Sequence, residues 1–333
     1  MPDMTPSRTT RTAGALLALA LPLVVIVPIA LESAAQASSI GAGCAGHYGW
    51  PVAPFTEQHP VRANFGDPRT RFVGPEGEDA LLTGKGTFSF HQGIDISAPD
   101  GTPVYAVSAG TVVRARGGRV TVDCGNGRSF QYWHIEPAAR VGQHAIAGKT
   151  LLGFVQPKRE HVHLTQLEGD RAVNPLAPAH LAPYHDSTAP RILRVVLRRA
   201  AHRHLHVVVD VVDTPPLAVP GRWHGFPVSP ALVTWRIERS GHAVISGNAR
   251  DVRRFVPKND RFWGTFARGT HQNWPIFAGH KLQGVRGAYL FRLTTGALSS
   301  GTYSITVTAG DTRGNRCARR VEFVVDRSGL STS

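Results

Sequence analysis

The sequence predicts an all-β protein made of two consecutive domains. Short runs rich in β-branched and aromatic residues recur along the chain, separated by the turn formers Gly, Pro, Asn and Asp. Between residues 61 and 176 no run keeps a helical period for more than two turns. After a proline-punctuated stretch near residue 180 the strands become longer and more basic, and 333 residues exceed what one hydrophobic core usually organises.

The first domain is predicted to span residues 61–176, after a Pro/Gly-punctuated lead segment at residues 38–60. Its first run, at residues 61–66, alternates in character and ends in a Gly-Asp-Pro turn, which favours a strand. Further strands are predicted at residues 87–92, 103–107, 110–114, 120–123, 129–134, 150–154 and 161–167.

A linker at residues 177–190 leads into a second, basic domain at residues 191–327, with residues 328–333 as a tail. A turn at residues 310–315 separates two strand-like runs and makes the clearest hairpin of the chain. The composition of this hairpin resembles immunoglobulin-like modules and predicts an immunoglobulin-like β-sandwich. Strands are predicted here at residues 192–197, 205–212, 231–239, 288–294, 303–309 and 320–325.

The first 37 residues have the organisation of a secretory signal peptide. Arg8 and Arg11 precede an uncharged run at residues 13–31, and Ala35-Gln36-Ala37 gives the small-x-small pattern of a cleavage site. An uncleaved anchor is the alternative, since about twenty apolar residues can span a bilayer. Both interpretations place the folded part outside the cytoplasm, and cleavage leaves no stable membrane span.

Three cysteines, Cys44, Cys124 and Cys317, allow at most one disulfide within a monomer. The favoured pair is Cys44 with Cys124, because Cys317 falls in the second predicted domain. Sequence alone does not fix this connectivity.

The formal net charge of +14 is concentrated in the second half. Residues 38–186 carry 13 Lys and Arg against 13 Asp and Glu, whereas residues 187–333 carry 22 against 8. A basic half attracts polyanions, and for an exported protein these are anionic wall polymers or anionic lipid, not nucleic acid. Solubility alone is the alternative explanation.

Three short segments of the first domain concentrate His and Asp, and they predict a zinc site. Zinc binds imidazole nitrogen and carboxylate oxygen at about 2.0 to 2.2 Å, and catalytic zinc keeps three protein ligands plus water. A single His in a β-protein is more often structural than metal-bound, but several recur here with a carboxylate and no competing thiolate. The segments are His91-Gln92-Gly93-Ile94-Asp95, Gln131-Tyr132-Trp133-His134 and His161-Val162-His163.

The spacing within these segments is compatible with one common site. Residues two apart on a strand point to the same face, so His161 and His163 project together while the residues beside them face a core. His91 and Asp95 are four residues apart, and an extended strand would separate them by about 13 Å, too far for one ion. Gly93 offers the bend that brings them together.

These segments stand in ordered blocks that resemble the lysostaphin/LytM-type zinc endopeptidases. The block at residues 91–112 resembles the family signature, and the blocks at 125–134, 141–143 and 161–164 follow in the family's order. The resemblance implies antiparallel sheets with an open groove and cleavage of peptidoglycan peptides. It also implies His91, Asp95 and His163 as the zinc ligands.

The resemblance implies catalytic roles for two further histidines, His134 and His161, which fall on the positions that assist the water and the transition state. One segment departs from the family pattern: residues 156–160, ahead of the His-x-His, are shorter and charged where relatives usually have a Gly-rich segment ending in Gly-Pro. Because this segment lines the groove in relatives, the departure bears on substrate preference.

Together these features predict a secreted or wall-located zinc endopeptidase of bacterial peptidoglycan, with anionic wall polymers as possible further partners. A non-catalytic wall adaptor is the alternative, but such adaptors typically lack a metal ligand and all five positions are filled here. Two other patterns suggest further sites: a His-x-His-x-His run suggests a second metal site, and a set of tryptophans suggests a carbohydrate platform. Both patterns also have ordinary explanations, as solvated or packed side chains. They are His202, His204 and His206, and Trp223, Trp235, Trp263 and Trp274.

Overall fold

The structure, a computed structural model, describes residues 46–71, 87–199, 204–270, 289–326 and 330–332. Its strands pair antiparallel, which confirms the all-β prediction, and helices in the described ranges are short. They are one single-turn α-helix, α1 (Phe262–Thr265), and the 3-10 helices Gly221–Trp223 and Asn259–Arg261. None of the described helices is long and apolar enough to cross a membrane. The predicted signal peptide lies outside the described residues.

The described residues of the first half of the chain form thirteen strands, numbered along the sequence. They are β1 (Val61–Ala63), β2 (Pro68–Arg71), β3 (Thr87–Phe90), β4 (Ile94–Ser97), β5 (Pro103–Tyr105), β6 (Gly110–Arg116), β7 (Arg119–Asp123), β8 (Arg128–Trp133), β9 (Ile135–Pro137), β10 (His144–Ala145), β11 (Leu151–Val155), β12 (His161–Glu168) and β13 (Arg171–Val173).

An eight-stranded sheet carries most of the predicted site. Its order is β1-β4-β12-β8-β7-β6-β10, and β13 pairs with β12. Strand β12 alternates as predicted, since Val162 and Leu164 are fully buried in the core while His161 and His163 point to the opposite face. A three-stranded sheet of β5-β11-β9 contributes residues such as Leu152 to the same core, and β2 pairs with β3.

In the second half, the residues that the structure describes form eight strands in two sheets. One sheet has the order β14-β15-β18, the other β17-β16-β19-β20-β21, and both contribute to a second core that includes Val209, Ile237 and Phe291. The strands are β14 (Arg191–Arg199), β15 (Leu205–Val212), β16 (Leu232–Arg239), β17 (His242–Asp251), β18 (Tyr289–Thr294), β19 (Gly301–Gly310), β20 (Arg316–Val325) and β21 (Leu330–Thr332). The immunoglobulin-like topology stays a prediction.

The predicted hairpin is present as β19 and β20, which pair from Gly301 opposite Val325 to Gly310 opposite Arg316. Its turn is held by Asp311, whose carboxylate accepts hydrogen bonds from the backbone of Arg313 and Asn315.

Each of the two hydrophobic cores includes residues from the other half of the chain. Phe88 and Phe90 of β3 pack into the second core, whereas Val252, beyond β17, packs into the first. Leu181 and Tyr184, within the predicted linker, are buried against the first core. The domain boundaries stay a prediction, and the strand that precedes His91 is packed by residues of the second half.

Cys124 is disulfide-bonded and Cys317 is a free, half-buried thiol. Cys44, the predicted partner of Cys124, lies outside the described residues.

Candidate metal centre

Three ligand atoms from His91, Asp95 and His163 converge on one small volume. Nε2 of His91 lies 3.1 Å from Oδ1 of Asp95 and 2.8 Å from Nδ1 of His163, and Nδ1 of His163 lies 2.9 Å from the same Oδ1. Pairing of β4 with β12 sets Asp95 directly opposite His163, so their side chains share one face of the sheet. This is the group among the described residues whose ligand atoms are close enough to hold one ion.

Gly93 brings His91 and Asp95 together. The chain bends at Gly93, and a Cβ at that position would collide with the carbonyl oxygen of Leu164 and the ring of His163. Only glycine therefore allows the backbone to pass this close to β12. The bend expected from the sequence is present, and close approach is its physical requirement.

The outer nitrogens of both imidazoles have partners outside the cluster. Nδ1 of His91 donates to the carbonyl oxygen of Asn64 at 2.8 Å, which leaves the lone pair of Nε2 directed inward. Nε2 of His163 lies 2.8 Å from the hydroxyl oxygen of Thr165, which can accept a hydrogen bond from the N–H at that position. Two lone pairs and a carboxylate oxygen then face one another without a hydrogen between them, an arrangement that a cation stabilises.

The charge state of the cluster also suits a cation. Burial lowers the pKa of His91 to about 4, so its imidazole is neutral near pH 7. Burial alone would raise the pKa of Asp95, but the positive charge that His91 and His161 gain at low pH holds it well below 3.8, so the carboxylate stays ionised. The outer oxygen, Oδ2, accepts a hydrogen bond from Arg69 at 3.3 Å.

A loop at residues 64–67 fixes His91 through its backbone as well as its ring. The amide of His91 donates to the carbonyl of Asp67 at 2.8 Å, and the amide of Gly66 donates to the carbonyl of His91 at 2.7 Å. With the ring bond to Asn64, three hydrogen bonds set the position of this imidazole.

The second half of the chain holds this loop in place. Arg250, buried on β17, donates to the carbonyl oxygens of Gly66 at 3.0 Å, Phe65 at 3.3 Å and Pro230 at 2.7 Å. It also donates to the hydroxyl of Ser229 at 2.9 Å, and that hydroxyl donates in turn to the carboxylate of Asp67. One buried guanidinium therefore links the second half to the support of His91.

His134 and His161 lie next to the cluster, with ring centroids 4.6 Å apart. Nε2 of His161 is 3.6 Å from Oδ1 of Asp95, and the ring of His134 is 6.2 Å from that of His163. His134 directly follows β8 in the left-handed region, with φ 63°, where non-glycine residues are uncommon. Burial lowers the pKa of His134 to about 4 and that of His161 well below 6.5, so both rings are neutral near pH 7.

Arg62 and Trp223 enclose His161. Nη2 of Arg62 donates to Nε2 of His161 at 3.3 Å, while Nδ1 of His161 donates to the carbonyl of Arg159 at 2.6 Å. The guanidinium of Arg62 lies 4.1 Å from the ring centre of Trp223, which comes from the second half of the chain. Both nitrogens of His161 are therefore held.

The charged segment at residues 156–160 is anchored through its last three residues. The carboxylate of Asp100 accepts backbone hydrogen bonds from Lys158, Arg159 and Glu160. Glu160 forms an exposed ion pair with Arg222 at 3.2 Å. The segment is thus fixed beside His161 by the first and second halves together.

Four of the five predicted residues, His91, Asp95, His134 and His163, line a groove of about 820 Å³. His161 lies behind them, buried. Other lining residues come from the sheet and from both halves of the chain: Arg69, Ser89, Phe90, Gln92, Arg119, Gln131, Trp133, Thr165, Leu167, Asp170 and Asn259.

The two other patterns have packing or hydrogen-bonding roles where the structure describes them. His204 bonds through Nδ1 to the carbonyl of Thr295, and His202 lies outside the described residues. Trp223 and Trp235 are buried, and Trp263 packs edge-on against Phe88. Trp274 lies outside the described residues.

Sequence reasoning missed the residues that support the site, chiefly Arg62, Asn64 and Arg250. Asn64 acts through its backbone carbonyl, which no side-chain pattern reveals. Arg62 and Arg250 are two arginines among many, and only burial distinguishes them. Arginine is rarely buried unless paired.

Residues 89–175 match the model of Peptidase family M23, and this segment contains all five predicted site residues. Similar solved structures include a SpoIIIAH and SpoIIQ complex, at 26% identity over 39% of this chain and 97% of the other, with TM-score 0.30. A zinc containing peptidase from Vibrio cholerae matches at 21% identity over 38% of this chain and 37% of the other, with TM-score 0.29. LytU matches at 23% identity over 36% and 84%, with TM-score 0.27. Curated proteins give no significant match.

Proposed function

We propose that this chain, whose residues 89–175 belong to peptidase family M23, is an exported zinc endopeptidase that hydrolyses peptide bonds in peptidoglycan stem peptides or cross-links. The observation that carries the proposal is the convergence of two imidazoles and a carboxylate on one point, at the surface of a groove. Peptidases of this family are zinc enzymes, typically extracellular, which supports the choice of metal.

The donor set fits zinc. The three ligand atoms already lie 2.8 to 3.1 Å apart, near the roughly 3.5 Å that separates ligands of one tetrahedral ion. His91, Asp95 and His163 would hold the ion, and the open groove leaves room for water and substrate. Bound there, zinc would lower the pKa of a water toward about 7 and polarise the scissile carbonyl.

The other two histidines move and stabilise charge. His161 keeps its Nδ1 proton on the carbonyl of Arg159, so Nε2 carries the lone pair. This lone pair accepts a hydrogen bond from Arg62 in the resting site, and it would have to exchange that donor for the attacking water in order to take its proton. His134, at the groove surface, donates a ring N–H to the carbonyl oxygen as negative charge develops there.

Arg62 is a positioning residue for His161. Arg62→Met removes the donor to Nε2 and the cation above Trp223, so the His161 ring loses one of its two fixed contacts. We expect kcat to fall about 10- to 100-fold, because small misplacements of a catalytic group have effects of this size. Steady-state kinetics, with zinc content measured on the same samples, gives the result.

Arg222→Met is the matched control, since Arg222 is exposed, forms a surface ion pair with Glu160 and lies 5.9 Å from the ring centre of Trp223, against 4.1 Å for Arg62. It should keep kcat within about 2-fold, as exposed ion pairs contribute little. A loss of zinc in Arg62→Met, or an equal loss of kcat in Arg222→Met, would contradict a specific positioning role.

Digestion of purified peptidoglycan sacculi by the full chain tests the proposed activity. The zinc-loaded protein should release muropeptides with new peptide termini, detected by mass spectrometry; chelation should stop this release and added zinc should restore it. A protein that binds sacculi and about one zinc per chain but releases no fragments would instead be the non-catalytic adaptor.

Purified sacculi also serve to measure whether the basic second half of the chain binds the wall. Exposed arginines lie on β14 and β20, two strands that Arg319 connects by donating to the carbonyl of Leu193 at 2.7 Å. We infer that this surface binds anionic wall polymers. Retention on sacculi should therefore fall as salt rises, and it should fall further once anionic polymers are removed from the wall. Retention unchanged by both treatments would remove this part of the proposal.

A further inference from the structure

A row of directly opposed residues crosses four strands of the large sheet, from the candidate metal ligands to the charged side chain of Arg119. Arg119 has no role in the proposed mechanism. Asp95 on β4 lies opposite His163 on β12, His163 lies opposite Trp133 on β8, and Trp133 lies opposite Arg119 on β7. Directly opposed residues in antiparallel strands share a face. The four side chains therefore stand side by side on the groove face.

The guanidinium of Arg119 lies over the ring of Trp133. Its guanidinium carbon lies 4.2 Å from the ring centre, and the indole N–H of Trp133 donates to Gln131 at 3.1 Å, which fixes the ring. Stacking of this kind leaves the N–H edge of a guanidinium free to form hydrogen bonds in its own plane. The platform thus presents a pre-oriented donor edge to the groove.

No described carboxylate pairs with this guanidinium. Arg119 forms no ion pair or hydrogen bond with another described side chain, and its Nε is buried without a partner. The other arginine in the groove wall, Arg69, already donates to Asp95. Asp170, the remaining acidic residue of the wall, is exposed and forms no ion pair with Arg119 among the described residues.

We propose that Arg119, stacked on Trp133, binds a free carboxylate of the substrate peptide. The proposal rests on the proposed peptidase function and narrows its substrate class to peptides that carry an unamidated carboxylate near the cleaved bond. Guanidinium pairs with carboxylate through two parallel hydrogen bonds, a geometry that a neutral carboxamide cannot reproduce.

The row also gives the distance between carboxylate and scissile bond. Two strand spacings of about 4.8 Å separate the backbones at His163 and Arg119, which makes about 10 Å. An extended peptide advances about 3.3 Å per residue, so the carboxylate belongs within about three residues of the bond that is cut.

Two synthetic muropeptides that differ only in one group, carboxylate or carboxamide, test this inference on the full-length zinc-loaded protein. Wild type should cleave the carboxylate form with a kcat/KM roughly 10- to 100-fold higher, mainly through KM. Arg119→Gln should lose this preference, because its kcat/KM should fall much further on the carboxylate form than on the carboxamide form, and its zinc content should match wild type. Arg119→Lys should restore part of the preference, because lysine keeps the charge but not the bidentate edge.

Arg140→Gln removes the same charge from an exposed position outside the groove wall and should leave the preference intact. Equal cleavage of both peptides by wild type would overturn the carboxylate site, and so would an equal loss on both peptides in Arg119→Gln. Failure of zinc-loaded wild type to cleave either peptide, or sacculi, would instead count against the peptidase function. Calorimetric binding of an uncleavable carboxylate peptide gives a readout independent of turnover, and Arg119→Gln should weaken it by a similar factor.

Discussion

The variant His163→Ala should lose both its zinc and its activity, whereas His134→Ala should keep zinc and lose only activity. Nδ1 of His163 is one of three converging ligand atoms, within 2.9 Å of the other two, so its removal leaves an incomplete site. The ring of His134 lies 6.2 Å from that of His163 and contributes no atom to the cluster. Loss of its N–H should lower kcat by about 100- to 1000-fold, the usual effect of removing one oxyanion donor.

Elemental analysis of the purified variants and muropeptide release from sacculi give the two readouts. His144→Ala is the control, because His144 is exposed on β10, outside the groove wall. It should behave like wild type in both assays. Full zinc retention by His163→Ala would contradict the ligand assignment, and zinc loss from His134→Ala would contradict the division of roles.

The second large effect concerns the contact between the two halves of the chain. Arg250→Met should lower the free energy of unfolding by about 3 to 5 kcal/mol, because its neighbours lose a buried charged partner. Three carbonyl oxygens and the Ser229 hydroxyl would lose their donor, and the carboxylate of Asp67 is linked to the same network. Zinc affinity should also fall about 10- to 100-fold, since the loop at residues 64–67 orients His91.

Urea denaturation and competition with a chelator measure these two quantities on the full chain. Arg253→Met is the matched control: Arg253 is exposed and pairs with Asp251 at the surface, so its loss should cost less than about 1 kcal/mol. A large loss of stability with unchanged zinc affinity would show that the loop does not depend on Arg250 to orient His91. Equal effects of both variants would point to a general effect of charge.

The convergence of the candidate site residues was predictable because its signal is local in sequence. His161 and His163 are two apart on a strand whose alternate residues, Val162 and Leu164, are fully buried, so period-2 alternation places them correctly. The bend at Gly93 was predictable for a similar reason, since one glycine stands between two potential ligands. What the sequence did not reveal is that a buried strand, β4, begins directly after the bend and lies between β1 and β12 in the sheet.

The missing elements of the fold lack a clear pattern for physical reasons. Strand β17 is a sheet edge with mostly exposed or half-buried residues, so it has no apolar face to produce alternation. Helix α1 is a single turn of four residues, too short for a helical period.

The contribution of the second half to the site could not be predicted, because it depends on contacts between residues far apart in the chain. Trp223 stacks on Arg62, and Arg250 reaches the carbonyls of Phe65 and Gly66. In sequence, Trp223 is one of several isolated tryptophans and the arginines belong to a general basic excess. Their roles emerge only from burial and partner geometry.

Anomalous diffraction at the zinc absorption edge, from crystals of the zinc-loaded full-length protein, tests the central claim most directly. The account predicts a single strong peak bounded by Nε2 of His91, Nδ1 of His163 and Oδ1 of Asp95, with His134 and His161 adjacent and unbound. A peak at another set of side chains, or full zinc content without a peak among these three residues, would contradict it.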